Sequence, residues 1–419
     1  MRFAYIVIAY LLAPFVIGAL ALRGFRDNSH WRGFSQRFGC GANTAGNSIW
    51  VHAVSVGEVQ AAAPLVEALL ARFPQFPLVL TTVTPTGRAR AQALFKERVD
   101  VRYVPIDLPG SVRRFFDRVR PRLAVILETE IWPNLYHRCG RLGVPLVLAS
   151  ARISPRSVNR YRQLVGLFRE TLSHGIFIAA QSVEDAERFR SIGANADRTH
   201  VVGNIKFDFG YPPDIAARGR DLRQMLGAER QVWVAGSTHA NEEEALVDAH
   251  ARIRERFPNA LLVMVPRHPP RFGDVAGMLK SRGICFVTRR SAMPVTSNTQ
   301  IYLLDTLGEL PPFYAAGDVA FVGGSLVPIG GHNLLEPAAL GLPIVAGPHN
   351  FNSADIAKLL AERGSVRIVN DAAGVAAEVG ELLADPAARA RMGASGRQAV
   401  DDNRGAVDRL MAFISPLLG

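Results

Sequence analysis

Acidic side chains follow two of the short apolar runs in the first half of the chain. Glu58 comes after the run at 48–55, where a strand pattern gives way to a helix, and Glu128 and Glu130 lie at the end of the run at 123–129. We expect Glu128 and Glu130 to share one face of an extended strand end. A carboxylate at such a place can act as a general base or stabilise a developing cation. The alternative for Glu58 is an acid that interacts with the dipole of the helix.

Two cations are candidates for holding an anionic group. Lys206, one of four lysines, follows Asn204-Ile205, and Arg267 follows an apolar run that ends in Pro266. An arginine there can bind a phosphate or a carboxylate. The alternative for Lys206 is a solvated lysine in a linker. The alternative for Arg267 is a turn stiffened by prolines, in which the arginine has no function.

The segment at 323–337, GGSLVPIGGHNLLEP, places two glycine pairs between an apolar run and a helical pattern. Asn333 and Glu336 have the spacing of a capping box, which explains these two residues but not the glycines. Bare backbone beside a helix N-terminus favours phosphate binding, and Glu336 could also accept from ribose hydroxyls. The small residues Gly236-Ser237-Thr238 predict a similar approach of backbone N–H groups to an anion. The segment is neither a GxGxxG fingerprint nor a P-loop.

The histidines show no metal-ligand spacing, and the sequence has no Asp-x-Asp motif of the kind that holds a metal–diphosphate. The sequence therefore predicts no metal site. It favours a nucleotide ligand with a single phosphate.

Apolar runs alternate with amphipathic stretches, which predicts parallel sheets covered by helices. Helical patterns include 58–72, 87–95, 183–191, 242–256, 353–363 and all of 373–418. The proline-containing segment at 206–214 is predicted as a linker between two α/β halves. Because ligands bind beyond the carboxyl ends of parallel strands, we expect a cleft between the halves. The predicted strands are 48–55, 77–83, 101–106, 123–129, 145–150, 175–180 and 199–202, then 231–236, 261–266, 285–287, 300–304, 319–323, 343–346 and 366–369.

Residues 3–22 carry no charge and are long enough to cross a bilayer core. We interpret them as a retained membrane anchor. A cleaved signal peptide is the alternative, because residues 19–21 resemble a cleavage site. By the positive-inside rule, the arginines at 23, 26, 32 and 37 leave the body of the protein in the cytoplasm. Trp31, Phe34 and Phe38 share a face if this segment is helical, where they would contact lipid headgroups or pack on the first domain.

Bulk composition limits the class of protein. The chain has 419 residues and a net charge of +11, which suits an anionic partner. The basic residues are mostly arginine and form no run of like charge, so no nucleic-acid partner is expected. Three widely spaced cysteines argue against a disulfide framework.

An ordered set of motifs resembles the lipid A 3-deoxy-D-manno-oct-2-ulosonic acid (Kdo) transferases of Gram-negative bacteria, and the resemblance covers essentially the whole chain. The motifs are HAVSVGEV (52–59), TTVTPTG (81–87), ETEIWPNL (128–135), GNIKFD (203–208), GSTHANEE (236–243), VPRHPPR (265–271) and GGHNLLEPAALGLPIVAGP (330–348). The sequence QRFGC at 36–40 departs from the ERFG-type pattern expected there.

The resemblance implies a GT-B fold, with two Rossmann-like domains facing a central cleft behind an N-terminal transmembrane anchor. It implies inverting transfer of Kdo from CMP-Kdo, the donor substrate, to a lipid A precursor (lipid IVA) in lipopolysaccharide core synthesis, without a metal or other cofactor. By motif, Glu58 resembles the catalytic base, and Glu128 and Lys206 resemble groups that assist the transition state. The positions that resemble CMP-binding residues are Pro266, Arg267, Leu307, Gly308, Glu309, Asn333, Leu334, Leu335 and Glu336.

We expect a membrane anchor at 1–22, a basic and aromatic juxtamembrane segment at 23–47, an acceptor domain at 48–205, a linker at 206–217 and a CMP-sugar domain at 218–419. The expected partners are CMP-Kdo, the lipid A precursor and the inner-membrane surface, with the body in the cytoplasm. The alternatives are a GT-B transferase that uses a UDP-sugar on another lipid, and a membrane-tethered binding protein without activity. The motifs do not distinguish transfer of one Kdo residue from transfer of two.

Overall fold

Two compact units make up the chain. A computed structural model describes residues 1–163, 165–172 and 175–419, and the side chains of Arg26, Arg160, Gln163 and Val165 lie outside this description. The first unit comprises residues 1–209 and 403–419, and the second comprises residues 210–402.

The first unit contains a parallel sheet of seven strands in the order β3-β2-β1-β4-β5-β6-β7. Apolar side chains alternate between its two faces, and each face is buried in its own hydrophobic cluster. Strands buried on both faces read as continuous apolar runs, which is why the sequence predicts them well. The strands are β1 Ser48–His52, β2 Leu78–Thr82, β3 Asp100–Tyr103, β4 Pro121–Leu127, β5 Leu146–Ala151, β6 Phe177–Ala180 and β7 Thr199–Val201.

The helices of this unit begin at residues suited to a first turn. Pro85, Pro109 and Pro133 occupy the first helical position, where no N–H is required. The side chains of Thr84 and Ser182 cap their helices by accepting from backbone N–H groups. The helices are α1 Arg2–Arg26, α2 Val56–Arg72, α3 Pro85–Phe95, α4 Pro109–Val119, α5 Pro133–Leu142, α6 Pro155–Gln163, α7 Val165–Leu172 and α8 Val183–Ser191.

The second unit repeats this architecture with seven parallel strands in the order β10-β11-β9-β8-β12-β13-β14. The strands are β8 Val232–Thr238, β9 Leu261–Pro266, β10 Phe286–Thr288, β11 Ile301–Leu303, β12 Val319–Val322, β13 Ile344–Ala346 and β14 Val366–Ile368. The helices are α9 Ile215–Leu226, α10 Glu243–Arg256, α11 Arg271–Ser281, α12 Leu310–Ala316, α13 Leu335–Ala339, α14 Ala354–Glu362, α15 Ala372–Ala384 and α16 Pro386–Asp402. The predicted pair of Rossmann-like sheets is therefore confirmed.

A last helix, α17 Ala406–Leu418, packs in the first unit, although the sequence placed residues 403–419 in the second domain. Its apolar face, which includes Leu410 and Ile414, is buried against strands of the first sheet. The carboxylate of Asp208 accepts from the N–H groups of Gly405, at 2.6 Å, and Val407 at the start of the helix. An amphipathic pattern predicts a helix but does not say which core covers its apolar face.

Helix α1 is long and apolar enough to cross a membrane, judged by its length and composition. Phe3, Leu11 and Phe15 are exposed along it. The phenol of Tyr5 donates to Oδ2 of buried Asp107, at 2.8 Å, so the first turns of the helix lie against the loop that follows β3.

The segment after α1 contains short 3-10 helices, Asn28–His30 and Phe34–Phe38, rather than one continuous helix. Its aromatic rings nevertheless contact one another in series. The ring centroids of Trp31 and Phe34 are 5.2 Å apart, and those of Phe34 and Phe38 are 5.7 Å apart. The shared face that the sequence predicted is thus formed by turns.

Candidate functional site

Glu58, Glu128 and Lys206 meet at the carboxyl edge of the first sheet. Glu58 lies in the first turn of α2, which follows β1, and Glu128 follows β4, the neighbour of β1. Lys206 lies in the 3-10 helix Ile205–Asp208 after β7, and its Nζ is 2.7 Å from Oε1 of Glu128. Parallel strands end at the same edge, so residues far apart in sequence come together there.

The carboxyl group of Glu58 is largely buried. Its Oε2 accepts from the N–H of Val54 at 2.8 Å. Burial raises the pKa of Glu58 to about 7, the Val54 hydrogen bond opposes this, and the charges of Glu128 and Glu130 raise it further. The charge of Lys206 lowers it. A carboxylate with a pKa near neutrality is suited to general-base catalysis.

Glu128 and Glu130 do not share a strand face, contrary to the expectation from alternation. Strand β4 ends at Leu127, and Glu128 has a left-handed backbone with φ +57°. This conformation is uncommon for a residue other than glycine and often marks a functional position. The turn directs Glu130 towards Trp132, whose Nε1 donates to Oε2 of Glu130 at 2.9 Å. Burial raises the pKa of Glu130 as well.

In the second unit, three neighbouring strands bring together residues of the other predicted motifs. His239 follows β8, Arg267 and His268 follow β9, and His332 lies in the loop after β12. The backbone N–H of Arg267 donates to the carbonyl of Thr238 at 3.0 Å, which joins the first two loops. The sequence does not predict these histidines as site residues, because each stands alone in sequence. The shared strand-end position was the available signal.

The sequence predicts that the backbone N–H groups of the glycine-rich loop are free to bind a ligand, but in the structure several of them are already hydrogen-bonded. The N–H groups of Gly324, Ser325 and Leu326 donate to the carboxylate of Glu242 at 2.8, 3.1 and 3.0 Å, and that of His239 also donates to it, at 3.2 Å. Glu242 is fully buried, and burial raises its pKa. The anion held by these four groups is therefore a side chain of the protein itself. The same residue occupies the turn after β8 that was expected to receive an external anion.

Asn333 and Glu336 form a modified version of the predicted cap. The Oδ1 of Asn333 accepts from the N–H of Leu335 at 3.1 Å, and its Nδ2 donates to Oε1 of Glu336 at 3.2 Å. Leu334 and Leu335 are buried beneath this turn. Because α13 has five residues, its dipole is weaker than that of a long helix, and the side chains of Asn333 and Glu336 become the more important polar groups here.

Leu307, Gly308 and Glu309 form an exposed turn before α12. Leu307 is 65% exposed and Gly308 has a φ of +83°. Glu309 is bound to Arg289, with 2.9 Å between Oε1 and Nη2, and the hydrogen bond from Arg289 holds its pKa below the ordinary value. This turn is thus held in place by an ion pair.

Among the residues that the structure describes, no group of three or more histidine, cysteine, aspartate or glutamate side chains is arranged to hold a metal ion. The three cysteines, Cys40, Cys139 and Cys285, are free thiols.

Solved structures resemble the chain over most of its length. Anabaena HepE in complex with UDP is 15% identical with a TM-score of 0.56, covering 88% of this chain and 99% of that chain. A UDP-GlcNAc 2-epimerase from Neisseria meningitidis bound to UDP-GlcNAc is 12% identical with a TM-score of 0.55, at the same coverages. At these identities they establish the fold alone: a GT-B-like pair of Rossmann-like sheets.

Sequence comparison then gives the family. The family described as 3-deoxy-D-manno-octulosonic-acid transferase (Kdo transferase) matches residues 32–209. The 3-deoxy-D-manno-octulosonic acid transferase of Haemophilus influenzae is 37% identical over 421 residues, covering 100% of this chain and 99% of that protein. The protein of the same name from Bordetella pertussis is 37% identical over 423 residues, covering 97% of each. The chain therefore belongs to the Kdo transferase family and is a glycosyltransferase.

Proposed function

We propose that this chain transfers Kdo from CMP-Kdo, with inversion, to a hydroxyl group of a lipid A precursor in lipopolysaccharide core synthesis. In this reaction the bond between the sugar's anomeric carbon and the phosphate oxygen breaks, and CMP leaves. A new bond forms from the anomeric carbon to the acceptor oxygen, whose proton passes to the carboxylate of Glu58. Each transfer thus consumes one donor molecule and releases one CMP.

The observation that carries the catalytic assignment is the environment of Glu58. Its carboxylate lies at the carboxyl edge of a parallel sheet, is largely buried, and has a pKa of about 7. The strained backbone of Glu128 and its 2.7 Å ion pair with Lys206 support a role for these two residues in assisting the transition state. A charged pair held in this way costs no reorganisation during the reaction.

For the donor, we propose binding by Pro266 and Arg267, by the turn that contains Leu307, Gly308 and Glu309, and by residues 333–336. Arg267 is an exposed cation at a strand end, which suits a phosphate. The hydrogen-bonded pair Asn333 and Glu336 suits hydroxyl groups of a ribose.

The decisive experiment uses purified full-length protein with CMP-Kdo and lipid IVA. Release of CMP and a lipid product heavier by Kdo are expected. Glu58→Gln is expected to lower kcat by roughly 100- to 10,000-fold, since it removes a general base. Its folding serves as the control: ionised Glu58 is unfavourable in the folded chain, so at pH 8 this variant should be no less stable than wild type. An inactive wild type, or a fully active variant, would refute the assignment.

A UDP-sugar transferase is the alternative of the same class, because the structural neighbours named above bind UDP or UDP-GlcNAc. Nucleotide competition separates the two. CMP should inhibit transfer at concentrations where UDP does not, and the reverse order would favour the alternative.

We further propose that α1 holds the enzyme at the inner membrane, with both sheets on the cytoplasmic side. The apolar length of α1 and the arginines that follow it support this placement. Cleavable tags at the two termini test it in spheroplasts. A spanning helix exposes the N-terminal tag alone to external protease. Protection of both tags would mean that the helix lies in the plane of the membrane. In that orientation Tyr5 can still donate its hydrogen bond to Asp107.

A further inference from the structure

His239 and His332 face each other through the same ring nitrogen. Their Nε2 atoms are 2.7 Å apart, and the two ring planes differ by 6°. The ring of His268 meets that of His239 edge-on, with centroids 5.3 Å apart. Two ring nitrogens at 2.7 Å must share one hydrogen, so one Nε2 donates and the other accepts.

This geometry determines what the other two nitrogens can do. In the neutral pair, the accepting ring carries its hydrogen on Nδ1 and the donating ring has a bare Nδ1. One additional proton gives N–H donors on both Nδ1 atoms while the central bond is kept. In the described part of the chain, neither Nδ1 of His239 nor that of His332 has a hydrogen-bond partner. Once it is protonated, the pair therefore has an N–H donor at each of its two ends, and these donors point away from each other.

The surroundings of the pair are positively charged. Burial lowers the pKa of His332 to about 3, and the charges of Arg267, His239 and His268 add to this. Burial also lowers the pKa of His239, with His268, Arg267 and Arg271 contributing. Without an anion, the additional proton is thus unfavourable.

The carboxylates that face the pair are already in use. Glu242 accepts four backbone N–H groups, including that of His239, and Glu243 is paired with Arg271. Within the described residues, no carboxylate side chain is hydrogen-bonded to the rings of the pair or ion-paired with Arg267. A ligand oxyanion would supply such an anionic partner.

We propose that His239 and His332 form an oxyanion subsite for the donor, which binds a phosphate or carboxylate oxygen through the Nδ1 of one ring and takes up a proton when it does so. This inference rests on the proposed function, because Arg267 beside the pair is assigned to the same donor. The anion accepts from the Nδ1–H at one end of the pair, and its negative charge offsets the field of Arg267 and so favours the additional proton.

The test is calorimetric titration of the full-length chain at about pH 6.5, the ordinary pKa of histidine. Two buffers of different ionisation enthalpy report the protons taken up. The ligands are CMP, free Kdo, which carries the carboxylate alone, and cytidine, which carries neither anion. The variants are His239→Gln and His332→Gln, with His200→Gln, an exposed histidine of the first unit, as the matched control.

Wild type and His200→Gln are expected to take up more protons on binding CMP than the two pair variants, which should bind CMP about tenfold more weakly. The titration of the ligand itself is common to all four chains, so the difference isolates the pair. A difference seen with Kdo and not with CMP would identify the carboxylate as the bound anion. Cytidine should not discriminate among the chains.

Equal proton uptake and equal affinity in all four chains, for CMP and for Kdo, would overturn the subsite. Failure of the proposed function looks different: wild type would then neither bind CMP nor release it from CMP-Kdo in the presence of lipid IVA. The two failures are therefore distinguishable in the same preparation.

Discussion

At the scale of single residues, the protonation of Glu58 is set by its neighbours. Burial raises the pKa of this carboxyl to about 7, and the charges of Glu128 and Lys206 act in opposite directions. Because Lys206 is itself paired with Glu128, the base and the ion pair form one electrostatic unit. The pH dependence of the transfer rate should therefore depend on the charges of all three residues.

Transfer should decline in acid as Glu58 becomes protonated. Its folded pKa is raised, so the carboxylate that acts as base is present above about pH 7 and lost below it. We expect kcat/KM for the acceptor to fall about tenfold for each pH unit below this midpoint. CMP release measured from pH 5 to 8 checks this. A constant rate across that range would exclude Glu58 as the base.

Replacement of Lys206 by methionine should move this midpoint to higher pH. The ammonium group lowers the pKa of Glu58, so its removal raises that pKa and also leaves Glu128 without its partner. The same pH profile, measured for Lys206→Met, tests this. Lys358→Met is the control, since Lys358 is exposed on α14, and it should leave the profile unchanged. A midpoint that moves to lower pH would contradict this account.

At the scale of elements, the loop after β12 depends on one carboxylate. Glu242 stands just before α10 and accepts from three consecutive amides of the loop. We expect Glu242→Gln to lower the free energy of unfolding of the second unit by roughly 1–3 kcal/mol, because the amide accepts fewer of these bonds. Urea unfolding measures it. Glu255→Gln, exposed on the same helix, should change stability by less than about 0.5 kcal/mol.

Periodicity and turn chemistry predicted the strands and most helices, because each is a local property of the sequence. The predicted strands all occur, with ends displaced by a few residues. The local pattern could not predict which side chains bind each other when they lie far apart in the sequence. Glu242 binds amides more than eighty residues away, and the left-handed turn at Glu128 breaks the alternation on which the prediction for Glu130 relied. The sequence motifs indicated the candidate residues, while the ion pair and the histidine pair could be recognised only in the folded chain.

At the scale of the whole molecule, the first unit is completed by the last helix of the chain. Leu410 and Ile414 on α17 are fully buried in the first unit. We expect Leu410→Ala to destabilise this unit by about 2–5 kcal/mol through the cavity it leaves. Hydrogen exchange followed by mass spectrometry should show faster exchange in β1 and β4 than in wild type. The exchange rates of β8 and β9, which belong to the second unit, should not change. Ala412→Ser, on the exposed face of α17, is the control.

The hydroxyl of Tyr5 has a practical consequence for handling the enzyme. Removing the apolar helix is an obvious route to a water-soluble form. A chain that starts after residue 26 loses the phenol that donates to Asp107 and leaves that buried carboxylate with the backbone N–H groups of Asn134 and Leu135. Asp107→Asn would not compensate for the missing donor, because each carboxylate oxygen accepts a backbone N–H and the asparagine NH2 group would face one of these donors. A shortened enzyme should therefore keep Asp107, whose buried carboxyl then depends on these two backbone donors.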